Sequence, residues 1–299
     1  MANNVGDFDI LPEGCIAKVL SFTEPRDACR LSLVSPIFRL AAESDSVWDT
    51  FLPPDCQPLI SRSSSSNSVS YGSKKELYLS LCEKPLLIDG GAKSFSLDKW
   101  TGKKCYMLSA RDLRITWSSS PSYWRWISLP ESRFGEVAEL LHVCWLEIRG
   151  KIHTNMLSAG TFYAAYLVFK KTEGTFGFDS QPVEAAFGLV GEGGDSCNRT
   201  LYLDAGDHRR LRHHYGLYRR GGRNIFRFLP VERECHENKN QDSKERGDGW
   251  LEVELGDFFN SGAEDGELEV FVLEVKGGNW KSGLIVQGIE IRPKGRDPK

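Results

Sequence analysis

Apolar residues at helical spacing, interrupted by prolines, restrict the first fifty residues of this 299-residue chain to short helices. Pro25 and Pro36 each suit the first turn of a helix, where a missing backbone N–H costs nothing, and Ser35 can cap the helix that begins at Pro36. The pattern predicts three helices and a final turn that carries a large aromatic residue. The positions that define it are Leu11, Pro12, Ile16, Val19, Leu20, Leu31, Val34, Phe38 and Trp48.

In order and spacing these nine residues resemble the F-box, the module by which substrate receptors dock onto the Skp adaptor of Skp–cullin–F-box ubiquitin ligases. The resemblance covers roughly residues 8 to 52, and we assign residues 1–55 to this module. It implies that the nine residues contact the Skp adaptor, and that the chain reaches cullin through it. About 45 residues bury too little apolar surface for a comfortable core of their own, so an apolar face left for a partner is reasonable. The alternative is a helical cap whose apolar positions pack on the rest of the chain.

The composition is that of a folded protein, with 40% hydrophobic and 26% charged residues. No apolar run approaches the ~20 residues that cross a bilayer, and the N-terminus lacks a secretory pattern. We therefore expect a protein of the cytosol or nucleus without a membrane partner. The eight cysteines include no Cys-x-x-Cys pair, so neither a structural metal site nor any other cofactor is expected.

Seven arginines lie between Arg209 and Arg227, interleaved with Tyr215 and Tyr218, in a pattern typical of nucleic-acid surfaces. Beyond residue 60, however, acidic and basic residues are nearly balanced in number, and no nucleic-acid motif is present. We expect a solvated, arginine-rich hairpin or loop and no nucleic-acid partner, with phosphate or nucleic-acid contact as the alternative.

Serine dominates residues 61–70, which predicts a flexible segment, and residues 74–82 have helical apolar spacing. Residues 56–104 are thus predicted to be a Ser-rich linker and helical connector. From Cys105 onwards the chain shows short alternating runs, with Glu252 and Glu254, for example, on one face that should meet solvent. Many short strands without helices between them predict a mainly antiparallel β-sandwich of jelly-roll type over residues 105–299. The expected fold class is α+β, with two modules.

Four aromatic residues, Trp117, Tyr123, Trp124 and Trp126, surround a Ser/Pro loop. Rigid, partly exposed aromatic faces are the usual way in which a protein meets the apolar face of a sugar ring. One interpretation is therefore a shallow sugar site. The other is that these rings fill the core and rim of the sandwich, as we expect of Trp126 or Trp145.

Several motifs in the same order resemble the phloem-lectin family of plants: Ser109–Trp117, Leu146–Ile152, Tyr163–Phe169, Asp248–Gly256 and Trp280–Lys294. Together with the N-terminal module, the chain resembles plant F-box proteins of the phloem-protein-two-like group, whose lectin domain is similar to the tobacco lectin Nictaba. The resemblance implies a jelly-roll sandwich that, in lectin members, binds N-acetylglucosamine-containing glycans through two tryptophans spaced like Trp117 and Trp124. Acidic residues also contribute in those lectins, but Glu252, Glu254, Glu267 and Glu269 stay unassigned.

No catalytic constellation stands out in the sequence. The six histidines form no His-x-x-x-His pair, and Gly191–Ser196 lacks the spacing of a phosphate-binding loop. We therefore expect a non-catalytic receptor subunit of a Skp–cullin–F-box ligase, with an unknown target such as a glycoprotein. Two alternatives stay open: a carbohydrate-binding protein that acts without ligase assembly, and a protein-binding sandwich that has lost sugar binding.

Overall fold

The computed structural model describes residues 11–63, 71–178, 181–190, 199–203, 243–263 and 265–295. Within these residues the helices come first: α1 (Glu13–Leu20), α2 (Pro25–Leu31), α3 (Pro36–Glu43), α4 (Asp45–Phe51), α5 (Cys56–Ser61) and α6 (Lys74–Glu83). The first strands are β1 (Leu86–Ile88), β2 (Lys93–Leu97), β3 (Lys104–Ser109), β4 (Arg114–Ile115), β5 (Trp124–Ile127), β6 (Val137–Leu140) and β7 (Leu146–His153). The remaining strands are β8 (Thr161–Phe176), β9 (Val183–Leu189), β10 (Arg199–Leu201), β11 (Lys244–Glu245), β12 (Leu251–Asn260), β13 (Glu267–Glu274) and β14 (Ser282–Pro293).

The N-terminal helices begin where the prolines predict. Pro25 and Pro36 occupy the first turns of α2 and α3. The Ser35 hydroxyl accepts a hydrogen bond from the backbone N–H of Phe38 at 3.4 Å and so satisfies one of the free donors at the start of α3. The predicted final turn is a separate helix, α4, which contains Trp48.

Trp48 joins the N-terminal helices to the connector. Its indole N–H donates to the carbonyl oxygen of Ala42 at 2.7 Å, and its ring lies 5.1 Å from that of Tyr78 in α6. The Tyr78 hydroxyl in turn donates to the carbonyl oxygen of Asp98 at 3.1 Å. Because a buried aromatic side chain removes much apolar surface from water, these contacts fasten α4 and α6 to the strand region.

The connector is part of the folded body. β1 pairs with β2, and β2 pairs with β3, so the sheet begins at Leu86 and the predicted boundary at 105 falls inside it. An ion pair of 2.9 Å between Lys104 Nζ and Asp55 Oδ2 adds a polar link to the preceding helices. One continuous hydrophobic core runs from Ile16 to Ile291. The helical connector thus packs on the body, and its strands β1 and β2 are part of the larger sheet, whereas residues 64–70 of the predicted Ser-rich linker lie outside the described residues.

The strands form two antiparallel sheets, which confirms the predicted fold class. The larger sheet has the order β1-β2-β3-β14-β8-β12-β11, with β6 also pairing with β14 and β5 pairing with β6. The smaller sheet has the order β10-β9-β13-β7-β4. The sheets face each other closely: a Cβ added at Gly150 of β7 would come within 2.9 Å of Leu108 in β3. Alternate side chains of both sheets fill the layer between them.

Charged side chains cover part of the larger sheet. Glu254 is buried and pairs with Arg199 at 2.6 Å and with Lys294 at 2.9 Å, so the expectation of a solvent-facing carboxylate is wrong for this residue. Glu290 on β14 is also buried and pairs with Arg246 at 2.6 Å. Burial alone would raise the pKa of Glu290, but the neighbouring guanidinium groups, Arg246 first, outweigh it and lower the pKa to about 2.

Glu290 should therefore make the chain sensitive to acid. Its carboxylate stabilises the folded state at any pH above its unfolded pKa of 4.5, and this contribution is lost as the pH falls from there towards 2. The lowered pKa corresponds to about 3 kcal/mol of unfolding free energy. In chemical denaturation between pH 7 and 2.5, the difference in stability between wild type and Glu290→Gln should shrink as the pH falls. A constant difference would contradict the assignment.

Candidate functional sites

Exposed apolar side chains concentrate in the N-terminal helices. Of the fourteen large apolar side chains that are exposed among the described residues, six lie between residues 11 and 40. They are Leu11, Val19, Phe22, Leu33, Val34 and Leu40. We call these six, with the exposed Pro12, the helical docking surface. A concentration of apolar groups in water marks a surface that gains free energy when a partner covers it.

The nine residues predicted to contact the adaptor separate into three groups. Leu11, Pro12, Val19 and Val34 are exposed. Leu31 and Phe38 are half-buried against the hydrophobic core. Ile16, Leu20 and Trp48 are at most 1% exposed, so they have no surface to offer a partner, and their assignment as contacts is wrong in this structure. They hold the helices together instead.

Three members of the helical docking surface were missed by the sequence prediction: Phe22, Leu33 and Leu40. Phe22 and Leu33 lie just after α1 and α2, where helical periodicity no longer says which way a side chain points. Their exposure is the highest of any large apolar side chains in the described residues, 78% for Phe22 and 83% for Leu33. A short amphipathic helix has an inner and an outer apolar edge, and only the packed structure distinguishes them.

A tight loop between β4 and β5 presents Trp117 to solvent. Trp117 has a φ of +61°, in the left-handed region that a bulky side chain adopts only at a cost, and its side chain is 42% exposed. The carbonyl oxygen of Trp117 accepts a hydrogen bond from the Ser120 N–H at 2.9 Å, which closes the turn. Surrounding structure thus maintains a strained backbone conformation that exposes a large aromatic ring.

Trp124 lies inside the sandwich, which contradicts its predicted role as a sugar-contacting residue. It is 2% exposed, and its indole N–H donates to the carbonyl oxygen of Thr116 at 3.1 Å. The half-buried Trp126 makes the equivalent bond to Ser118 at 3.2 Å. Both residues belong to strand β5, which pairs with β6, so the side chains of residues 124 and 126 point to the same face. Both indole N–H groups therefore bond to the backbone of the loop that carries Trp117. Trp124 therefore positions Trp117.

Trp117 begins a row of aromatic rings from three loops, which we call the aromatic strip: Trp117, Tyr123, His142 and Trp280. Successive ring centroids are 5.2, 6.1 and 5.4 Å apart. Trp280 is 51% exposed, and His142 is exposed as well. These spacings match contacts between neighbouring aromatic rings, so the four residues form one surface.

Glu147 on β7 supplies a carboxylate that contacts the exposed Trp145 and Thr116, the residue before Trp117. Its Oε2 accepts hydrogen bonds from the Thr116 hydroxyl at 3.1 Å and from the Trp145 indole N–H at 3.2 Å. The hydrogen bond from Arg149, and next that from Trp145, lower the pKa of Glu147, so it is ionised at neutral pH. Trp145 is 44% exposed and lies outside the core, whereas Trp126 is half-buried. Apolar rings beside an ionised acceptor are the elements that recognise a ring bearing hydroxyl or amide donors.

The four glutamates left unassigned lie in different places. Glu269 pairs with Arg149 at 3.1 Å and so lies behind Glu147, whereas Glu267 pairs with Lys151 at 2.5 Å. Glu252 and Glu254 belong to the charged groups on the larger sheet. The acidic residue bonded to Thr116, which precedes Trp117, is Glu147, to which the sequence gave no role although the motif Leu146–Ile152 contains it.

Two features are absent from the described residues. Among them, no three His, Cys, Asp or Glu side chains come together as a metal site would require. No helix in the described part of the chain has the length and apolarity to span a membrane. The arginine cluster at 209–227 and the segment Gly191–Ser196 lie outside the described residues.

Comparison with known proteins assigns both modules. The F-box domain model matches residues 8–50, and the phloem protein 2 model matches residues 103–293. F-box protein PP2-B1 of Arabidopsis thaliana is 46% identical over 96% of this chain and 90% of its own length. F-box protein PP2-B10 of the same plant is 45% identical over 96% of this chain and 94% of its own length.

Among solved structures, the Podospora anserina GH26-CBM35 β-(1,4)-mannanase aligns with 65% of this chain and 28% of its own, at 9% identity and a TM-score of 0.31. That likeness is too low to support a conclusion. The family models and the Arabidopsis relatives, in contrast, span both modules in order. An F-box joined to a lectin-like domain supports a substrate-recognition role, in which the F-box meets a Skp adaptor. This chain belongs to the phloem protein 2 family, in the group of plant F-box proteins that carry this domain.

Proposed function

We propose that this protein is the substrate-recognition subunit of a Skp–cullin–F-box ubiquitin ligase, with a sandwich that binds N-acetylglucosamine-containing glycans or glycoproteins. The observation that carries the proposal is the presence of two separate, exposed apolar surfaces in one body: the helical docking surface and the aromatic strip. Of their members only Tyr123 packs against the hydrophobic core, and the others are exposed. Each is therefore available to a different partner.

The helical docking surface supports adaptor binding. Its members are large, apolar and exposed, while the residues behind them are fully buried and fix the helices. A preformed surface loses little conformational entropy when a partner covers it, which favours affinity. We assign Skp adaptor contacts to Leu11, Pro12, Val19 and Val34 from the F-box pattern, and add Phe22, Leu33 and Leu40. Cullin is reached through the adaptor.

The aromatic strip supports sugar binding. Trp117 and Trp280 offer exposed indole faces, and the Glu147 carboxylate accepts hydrogen bonds from the exposed Trp145 and from Thr116, the residue before Trp117. The apolar face of a pyranose ring can stack on an indole while its hydroxyl or acetamide N–H groups donate to a carboxylate. The row contains several rings, which suits a chain of sugars better than a single one.

The receptor needs no catalytic residue for this role. Holding a target near a charged conjugating enzyme raises the effective concentration of the target's lysines, and the other subunits perform the transfer. The work of this chain is to bind the adaptor with one surface and the target with the other. We propose that it does so in the cytosol or nucleus.

Two binding measurements on the full-length chain test the proposal. We expect co-elution with a plant Skp adaptor in size-exclusion chromatography, and binding to N-acetylglucosamine-terminated glycans on an array. Glycan binding without adaptor binding would favour a carbohydrate-binding protein that acts without ligase assembly. Adaptor binding by a chain that binds no glycan would favour a sandwich that recognises protein targets. Failure of both would refute the proposal.

A further inference from the structure

A fully buried lysine lies directly beneath two of the loops that build the recognition surface, a name we use for the aromatic strip together with Trp145. Lys281 has no exposed surface at all and forms an ion pair with Glu274, the last residue of β13. Its ammonium group also donates to the carbonyl oxygen of Asn279 at 2.7 Å and, at 3.4 Å, to that of Cys144. An ammonium group has three donors, and all three have acceptors here.

Two of these three acceptors lie one residue from an exposed tryptophan. Asn279 precedes Trp280 in the loop between β13 and β14, and Cys144 precedes Trp145 in the loop between β6 and β7. Both loops are also joined through their backbones. Lys281 and Val143 exchange a pair of hydrogen bonds of 2.8 and 2.9 Å, and Val143 follows His142.

The ion pair also connects the two loops through Glu274 at the end of β13. Glu274 pairs in the sheet with Leu146, the residue after Trp145. The second carboxylate oxygen of Glu274 accepts a hydrogen bond from the Gly277 N–H at 2.8 Å, at the start of the loop that carries Trp280. Lys281 and Glu274 together therefore contact both loops, the end of β13 and the start of β7.

A buried ion pair is a costly way to obtain stability alone. Removing two charges from water offsets most of their mutual attraction, and apolar side chains of similar volume often serve stability equally well. Directional hydrogen bonds differ from apolar contacts in that they fix angles and distances. The surface above this pair, with Trp145 and Trp280, is one in which relative placement of rings would matter.

We propose that Lys281 is a positioning residue for the recognition surface: paired with Glu274, it fastens the loop at 141–145 to the loop at 275–281 and so sets His142, Trp145 and Trp280 at their relative positions for ligand binding. The part that concerns ligand affinity rests on the proposed sugar-binding function. The part that concerns loop order does not depend on any ligand.

The test uses the full-length chain with the double substitution Lys281→Met/Glu274→Gln. Lys281→Met alone would leave a buried carboxylate without a partner and endanger folding. In the double variant Met keeps the length of the side chain, and Gln keeps an acceptor for the Gly277 N–H. The matched control is Lys276→Met, in the same loop, because Lys276 forms an exposed ion pair with Glu184.

Two readouts separate positioning from mere stabilisation. The first is the set of tryptophan indole ¹H–¹⁵N resonances, assigned by single Trp→Phe variants. Trp250, which is buried beyond these loops, serves as the internal marker of a folded sandwich. The second is the dissociation constant for the N-acetylglucosamine trimer, measured by titration.

In the double variant we expect the Trp145 and Trp280 resonances to shift and broaden while that of Trp250 is unchanged, and affinity for the trimer to fall roughly tenfold. Lys276→Met should leave both readouts as in wild type. A double variant with wild-type indole resonances and an affinity within about twofold of wild type would overturn the proposal. If the wild-type chain does not bind the trimer, the sugar-binding function fails, and the indole resonances alone decide whether Lys281 orders the loops.

Discussion

Val34→Asp should lower the affinity of the chain for the Skp adaptor by about a hundredfold or more while leaving the fold intact. Val34 is 66% exposed just after α2, so an aspartate there stays solvated in the free chain. In the complex the same carboxylate would be covered by an apolar partner surface without a counter-charge, which costs about 3 kcal/mol or more. Isothermal titration calorimetry with purified adaptor, alongside circular dichroism of the variant, measures both effects.

The matched control for this variant is Val190→Asp. Val190 is 51% exposed at the end of β9 in the sandwich, so the same chemical change occurs on a surface that the proposal does not give to the adaptor. Adaptor affinity should be unchanged in the control. Equal losses in the two variants, or none in either, would show that the helical docking surface is misassigned.

Trp117→Ala should mainly lose glycan binding, whereas Trp124→Ala should mainly lose stability. Trp117 is largely exposed and contributes little to the core, so its removal should abolish glycan binding and shift the unfolding free energy by less than about 1 kcal/mol. Trp124 is buried and hydrogen-bonded to Thr116, so its removal should cost about 3–5 kcal/mol of unfolding free energy through the cavity that it leaves. Urea denaturation and glycan titration of both variants distinguish the two roles.

Trp100→Ala provides a control for Trp117→Ala. Trp100 is an exposed indole in the loop between β2 and β3, and its carbonyl oxygen accepts a hydrogen bond from the Arg26 N–H at the start of α2. Its removal should leave glycan binding as in wild type. A Trp124→Ala chain that is as stable as wild type would contradict the buried position of this ring. A Trp117→Ala chain that still binds glycan normally would remove the aromatic strip from the proposed function.

The sequence carried enough information for the fold because its signals are local. Pro25, Pro36 and the cap at Ser35 act within a few residues of themselves, and alternation along β12 and β13 follows from the two faces of a strand. The start of the sheet at Leu86 was harder to predict from the sequence. Its first strand has only three residues, and a strand this short gives a periodicity that cannot be told from that of a connector.

The candidate sites were predicted less well, since they depend on which face of an element packs inwards and on loops far apart in the chain. Trp117 and Trp124 cannot be distinguished in the sequence. In the structure Trp117 lies in a turn with left-handed backbone conformation, and Trp124 lies on a strand with its ring in the core. His142, Trp280 and Glu147 were given no role from the sequence, although quoted motifs contain Trp280 and Glu147, because only the pairing of β6, β7, β13 and β14 brings their segments together. Ile16, Leu20 and Trp48 were correctly identified as part of a motif, but they were assigned to its partner-facing surface although their side chains are buried.

The continuous core between the helices and the sandwich has a consequence for which sites on a target become modified. The Trp48–Tyr78 contact and the Lys104–Asp55 ion pair hold the two modules at one angle and one separation. A target bound at the aromatic strip would then face the rest of the ligase in a single orientation. Acceptor lysines would be selected by where they lie on the target's surface and not by the residues around them. Two glycoproteins with the same glycan but different attachment points would be modified at different positions, or one of them not at all.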